Sequence, residues 1–220
     1  MEDSGMQVGF KVWGKRIQFL RLAVLLIGAL SMSCAYSASK TILVLGDSLS
    51  AEYGLPRGTG WVALLQERLA TEKIDAPIIN ASISGETTSG GLTRLPPLLQ
   101  QHPSIVIIEL GANDGLRGLS LAAAESNLRS MINAAQEVHA KVLLVGMQLP
   151  PNYGPDYTKK FAALYGKLAK DAKTGLVPFL FAGLENKPQL FQADHLHPVV
   201  EAQAILLNNV WPSLKPLLAK

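Results

Sequence analysis

The sequence predicts an α/β fold, a three-layer α/β/α sandwich built on a mostly parallel sheet of about five strands. Three observations carry this. Short apolar runs without alternation recur at Thr41–Leu45, Ser104–Leu110 and Lys141–Met147, as strands do when helices cover both faces of a sheet. Segments with apolar residues at helical spacing lie between them, and the β-α-β order argues for a parallel sheet with right-handed crossovers. The first and second of these runs each deliver a loop of glycine and polar residues, and such loops gather at the carboxyl edge of a parallel sheet.

The first run leads straight into Gly46-Asp47-Ser48, so a buried strand ends on a serine. Trp61, Leu64, Leu65 and Leu69 share one helical face, which predicts a helix from about Gly60 to Ala70. Gly58–Ala63 matches the dinucleotide pattern G-x-G-x-x-A, but about a dozen residues separate it from the preceding strand. That spacing rules it out, because the fingerprint must open the turn directly after a strand. Pro77–Ala81 reads as a short second strand, followed by a polar, glycine-rich loop over Ser82–Gly91. Leu92, Leu95, Leu98 and Leu99 continue as a helix that Pro96-Pro97 is expected to bend. The third strand, Ser104–Leu110, is apolar apart from Glu109 and runs into Gly111-Ala112-Asn113-Asp114. Ser120 is the expected N-cap of an amphipathic helix striped by Leu121, Ala124, Leu128, Met131, Ile132, Ala135 and Val138. Lys141–Met147 is strand four, and Gln148–Gly154 is an extended loop on the same side of the sheet. Tyr157, Phe161, Leu164, Tyr165 and Leu168 stripe the next helix as ordinary core. Leu176–Phe181 reads as a fifth strand, and Pro198 as the first position of the last helix.

Residues 1–38 stand apart from this pattern. Lys11, Lys15, Arg16 and Arg21 precede the apolar run Leu22–Met32 and the small residues Ser33, Ala35, Ser37 and Ala38, the form of a secretory signal peptide. The run is too short for a convincing membrane span, so residues 39–220 are expected to form a single periplasmic or secreted domain. The leader carries 4 of the 20 Lys and Arg and 2 of the 17 Asp and Glu, which leaves 16 against 15. With no cationic cluster in that body, nucleic acid is not an expected partner. The sole cysteine, Cys34, lies in the leader, so thiol catalysis, disulfides and Cys-ligated zinc drop out of the mature chain. A lipid anchor at Cys34 is the lesser alternative, since Leu30 stands one position further from Cys34 than in the usual lipobox.

Strand-end loops thus carry Ser48, Gly85 and Asn113, and a loop near the C-terminus carries Asp194-x-x-His197. Gly46-Asp47-Ser48-Leu49, Gly85, Gly111-x-Asn113-Asp114 and Asp194-x-x-His197-Pro198 resemble the four blocks of the GDSL, or SGNH, hydrolases. Asn80–Glu86, Gly91–Pro96, Glu109–Gly118 and Leu149–Gly154 are similar to the bacterial periplasmic branch called thioesterase I, lysophospholipase L1 or arylesterase. The resemblance covers nearly all of residues 40 to 215. It implies a flavodoxin-like sandwich and hydrolysis of acyl esters and thioesters without a cofactor or metal. The expected partner is a small acyl ester or thioester, and the protein is expected to be a monomer.

The chemistry is consistent with this. A serine hydroxyl needs a base within hydrogen-bond reach, which His197 can supply, and Asp194 can accept the other ring N–H and fix the tautomer. A helix starting at Pro198 would disfavour the His197 cation through its dipole. The resemblance assigns the oxyanion donors to the backbone N–H groups of Ser48 and Gly85 and to the Asn113 side chain. Leu149 and Pro150, with the Gly111–Gly118 loop, are expected to border an acyl groove. His195 is the rival to His197, and Asp194-His195-x-His197 could suggest a metal site, although no further cluster of ligand spacing accompanies it. His102 and His139 sit at helix ends, and Asp47 and Asp114 are expected to brace their loops. No G-x-S-x-G elbow is present. A carbohydrate O-acetylesterase on the same fold and a non-catalytic lipid- or glycan-binding protein are the alternatives.

Overall fold

The computed structural model describes residues 40–219. The leader and Cys34 lie outside the described residues. Five parallel strands, β1 (Ile42–Gly46), β2 (Ile78–Asn80), β3 (Ile105–Glu109), β4 (Lys141–Val145) and β5 (Gly175–Val177), form one sheet in the order β2-β1-β3-β4-β5. The helices are α1 (Trp61–Thr71), α2 (Thr88–Leu99), α3 (Ala112–Leu116), α4 (Leu121–Glu137), α5 (Pro155–Ala172) and α6 (Gln203–Leu218). α1 packs on α6 at one face, and α2, α4 and α5 pack in sequence at the other. β1 and β3 are buried throughout, which explains their unbroken apolar sequence. The chain leaves β1 for the sheet edge at β2 and returns to β3 on the opposite side of β1. The loops after β1 and β3 therefore diverge at a topological switch point, where doubly wound sheets open a crevice.

Several element boundaries differ from expectation. α2 starts at Thr88, inside the stretch expected to be loop. Thr87 caps it by accepting from the Gly90 amide, and the Asp114 carboxylate accepts from the Thr88 amide at 2.8 Å and its hydroxyl at 2.6 Å. The helix continues through Pro96 and Pro97 to Leu99. The short helix α3 forms where only a loop was expected. β5 stops at Val177 because Pro178 has no N–H for the ladder, so Phe179 and Phe181 belong to the following loop. Pro198 is not the start of a helix: it forms an antiparallel bridge with Phe191, and α6 begins at Gln203 after a 3-10 turn over Val200–Ala202. His197 consequently does not sit at a helix N-terminus, and the expected dipole effect on it falls away. Ser120 caps α4 as expected, its side chain accepting from Ala123.

Candidate active site

Ser48 stands in a tight turn that leaves β1 at its carboxyl end. The amides of Ser50 and Ala51 donate to the Asp47 carbonyl, and the Leu49 amide donates to Asp47 Oδ1 at 3.0 Å. The turn packs so closely on β3 that a Cβ at Gly46 would meet Ser50 Oγ at 2.7 Å and Glu109 Oε2 at 2.8 Å. Glycine there follows from packing. Ile83 donates to the Gly46 carbonyl at 3.1 Å, which ties the β2 loop carrying Gly85 to the same turn.

A second loop brings the histidine. The Phe191–Pro198 bridge closes its base, the Gln192 amide donates to the His197 carbonyl at 2.7 Å, and His195 turns the tip at φ +59°. Within this loop Asp194 Oδ1 accepts from the amides of Leu196 and His197 at 2.9 and 3.0 Å. Its Oδ2 lies 2.6 Å from His197 Nδ1. Partial burial opposes ionisation of Asp194, but the Leu196 amide, the His197 ring and the His197 amide outweigh it and bring the carboxyl down to about 2. His197 Nε2 stands 2.9 Å from Ser48 Oγ. Of the two rival histidines it is thus His197 that meets the serine, while His195 lines the cavity beside it. Tyr53, which the sequence did not point to, lays its ring 4.5 Å from the His197 ring at 42°.

Asn113 enters from β3 through Gly111, whose φ of +115° turns the chain into α3. A Cβ on Gly111 would lie 2.5 Å from Tyr165 Oη, which donates to the Leu110 carbonyl. The Asn113 amide donates to Asp47 Oδ2 at 3.1 Å. Asp47 therefore braces both its own turn and a neighbouring side chain, and Asp114 braces α2 rather than its own loop. Gly85 adopts φ +78°, and Arg117 donates to its carbonyl at 2.8 Å. Gly85 is not among the residues lining the cavity described next.

Ser48, Asn113 and His197 line a cavity of about 370 Å³, within the usual size of small-molecule sites. Leu149, Pro150 and Leu116 line it. Phe179, Phe181 and Phe191 line it as well, with Phe181 edge-on to Phe191 at 5.5 Å. Sequence reasoning missed this trio because two of its members lay in the presumed strand Leu176–Phe181. Pro178 was the available signal. Glu109 was also missed as a site residue. It is 2% exposed, and its Oε2 accepts from Ser50 Oγ at 2.7 Å and from the Asp47 amide at 3.3 Å.

Comparison with known proteins bears on family and fold. Residues 44–205 match the model of the GDSL-like lipase/acylhydrolase family. The esterase TesA of Pseudomonas aeruginosa is 53% identical over 199 residues, covering 89% of this chain and 99% of TesA. A crystal structure of TesA superposes with a TM-score of 0.79 at 55% identity, covering 80% of this chain and 99% of that one. The thioesterase 1/protease 1/lysophospholipase L1 of Escherichia coli is 42% identical over 182 residues, 82% of this chain and 86% of the relative. The crystal structure of the psychrotrophic esterase EstA from Pseudoalteromonas, inhibited by monoethylphosphonate, gives a TM-score of 0.77 at 43% identity over 81% of this chain and 98% of that one.

Proposed function

This chain belongs to the GDSL-like lipase/acylhydrolase family and is a carboxylic ester hydrolase, and on that footing we propose that Ser48, His197 and Asp194 carry out the reaction on acyl esters and thioesters. Ser48 Oγ attacks the acyl carbonyl carbon as its proton passes to His197 Nε2. The tetrahedral intermediate collapses, the bond to the leaving oxygen or sulfur breaks, and Nε2–H protonates the leaving group. Water then attacks the acyl-serine ester, giving its proton to the same nitrogen, and the carboxylic acid departs with Ser48 restored. Asp194, ionised well below neutral pH, holds Nδ1–H and stabilises the imidazolium that forms in each step. The N–H groups of Ser48 and Gly85 and the Asn113 amide receive the oxyanion, a role in which losing one donor costs on the order of 10²–10³ in turnover.

The observation that carries this reading is the unbroken chain of contacts, 2.6 Å from Asp194 to His197 and 2.9 Å from His197 to Ser48, at the wall of an apolar cavity. The phenylalanines favour an acyl chain over a sugar ring as its occupant. The surroundings suit an amphiphile too. Of the large hydrophobic residues most exposed among those described, Tyr53, Ile83, Leu119 and Leu196 stand on loops that follow the strands' carboxyl ends, and Val200 opens the 3-10 turn before α6. Fatty-acyl or aryl esters, lysophospholipids among them, are the substrates we assign. The enzyme acts as a monomer exported by residues 1–38, with lipidation of Cys34 as the alternative route to the membrane. Among the described residues no helix is long and apolar enough to cross one.

The test is hydrolysis of a p-nitrophenyl ester series from acetyl to palmitoyl by the protein without its leader, with Ser48→Ala in parallel. A medium or long acyl optimum that vanishes in Ser48→Ala is expected. A sharp acetyl optimum would point to an O-acetylesterase, and activity surviving in Ser48→Ala would overturn the serine mechanism.

A further inference from the structure

Two carboxyls lie buried beneath the Ser48 turn, and the reaction as written uses neither. Asp47 is 1% exposed and Glu109 2%. Glu109 ends β3 directly opposite Gly46. Its Oε2 accepts from Ser50 Oγ and from the Asp47 amide, so it clamps the turn at two points, one on either side of Ser48. Asp47 uses both oxygens as acceptors, Oδ1 for the Leu49 amide and Oδ2 for the Asn113 amide. Among the described residues no lysine or arginine pairs with either carboxyl.

Two buried acids this close cannot both ionise at little cost. Burial first, and then the charge of Asp47, push Glu109 well above the carboxylate range, whereas Asp47 rises only to about 6. Of the two, Asp47 thus gives up its proton the more readily. Its place matters for Asn113, whose amide nitrogen has two protons. Asp47 Oδ2 holds one of them, which fixes the amide and leaves the other for the cavity that Asn113 and Ser48 both line. An Asp47 displaced by a loosened turn would leave the amide free to rotate.

We propose that Glu109 is a positioning residue for the oxyanion donor: by accepting from Ser50 Oγ and from the Asp47 amide it fixes the Gly46–Ser50 turn and holds Asp47 where it orients Asn113. It touches no substrate and acts through Asp47. The inference rests on the proposed role of Asn113, and a double-mutant cycle separates the two. kcat and KM are measured for a soluble p-nitrophenyl ester with wild type, Glu109→Ala, Asn113→Ala and the double variant. Glu109→Ala is expected to lower kcat by at least about tenfold with KM little changed, the mark of an interaction made in the transition state. In the Asn113→Ala background the same substitution is expected to cost little more. Glu109→Gln, neutral and of the same shape, is expected to recover most of the lost kcat.

Equal losses in both backgrounds would mean a merely structural acid and would overturn the proposal, as would a Gln variant no better than Ala. An Asn113→Ala variant with full kcat would sink the oxyanion assignment itself, an outcome distinct from the failure of Glu109. Should Glu109→Ala not fold, Glu109→Asp, which shortens the reach by one methylene, takes its place in the cycle.

Discussion

Replacing Asp47 by asparagine is expected to stabilise the protein at neutral pH while impairing its catalysis. Burial lifts this carboxyl from 3.8 to about 6, against the pull of the Leu49 amide, His197 and Asn113. The folded state therefore holds the proton more tightly than the unfolded chain does. The stability this contributes is fully present below pH 3.8, is lost as pH rises through about 6, and is absent above. Between those limits the change is worth about 3 kcal/mol, at 1.36 kcal/mol per pK unit. Asparagine does not titrate and so escapes it. Against that gain, its NH₂ group faces the Asn113 amide as donor to donor, and one hydrogen bond worth roughly 1 kcal/mol disappears. Asp47→Asn should thus unfold about 2 kcal/mol later than wild type at neutral pH and slightly earlier near pH 3.8. Urea unfolding of both proteins at a series of pH values measures the difference directly. A difference that stays flat from pH 3.8 to neutrality would show instead that burial does not set the charge of Asp47. In the same samples kcat should fall on the order of tenfold or more, since Asn113 loses the acceptor that orients it.

Three further outcomes follow from the geometry. Asp194→Asn should lower kcat on the order of 10³–10⁴-fold, by analogy with other triads. It should also remove a stabilising contribution that wild type holds above pH 3.8 and loses as pH falls through about 2, which acid titrations of the two proteins would compare. Gly111→Ala places a methyl 2.5 Å from Tyr165 Oη at φ +115°, and should cost at least about 1–3 kcal/mol in urea unfolding; unchanged stability would show that α3 yields there. Leu149→Ser puts a hydroxyl into the cavity wall beside Gly115 and should shift the ester series toward shorter acyl chains. An unchanged preference would remove Leu149 from the acyl groove.

The sheet and the identity of the polar residues at its edge are legible in the amino-acid order alone. Continuous apolar strands could be read because both faces of β1 and β3 are covered, so burial leaves an unmistakable local record. Ser48, Asn113 and Asp194-x-x-His197 could be read because each lies where such a strand, or a loop near the last helix, hands the chain to the solvent edge. Local pattern could also mislead. Leu176–Phe181 has the composition of a strand, yet Pro178 ends the ladder and turns two phenylalanines into cavity wall. Pro198 has the look of a helix start, yet it pairs with Phe191.

Relations between distant residues, by contrast, emerge only in the folded chain. His197 rather than His195 reaches Ser48 because the Phe191–Pro198 bridge sets which side chain of the loop faces β1. Glu109 looked like an exception in an apolar run, and becomes the support of the Ser48 turn only because β3 pairs with β1 in a register that puts it opposite Gly46. Asp47 belongs to its own turn and to Asn113 at once, across 66 residues of chain. Hydrogen bonds of this kind leave no periodicity in the sequence, since their geometry depends on sheet order and register, and these are set by how all five strands pack together.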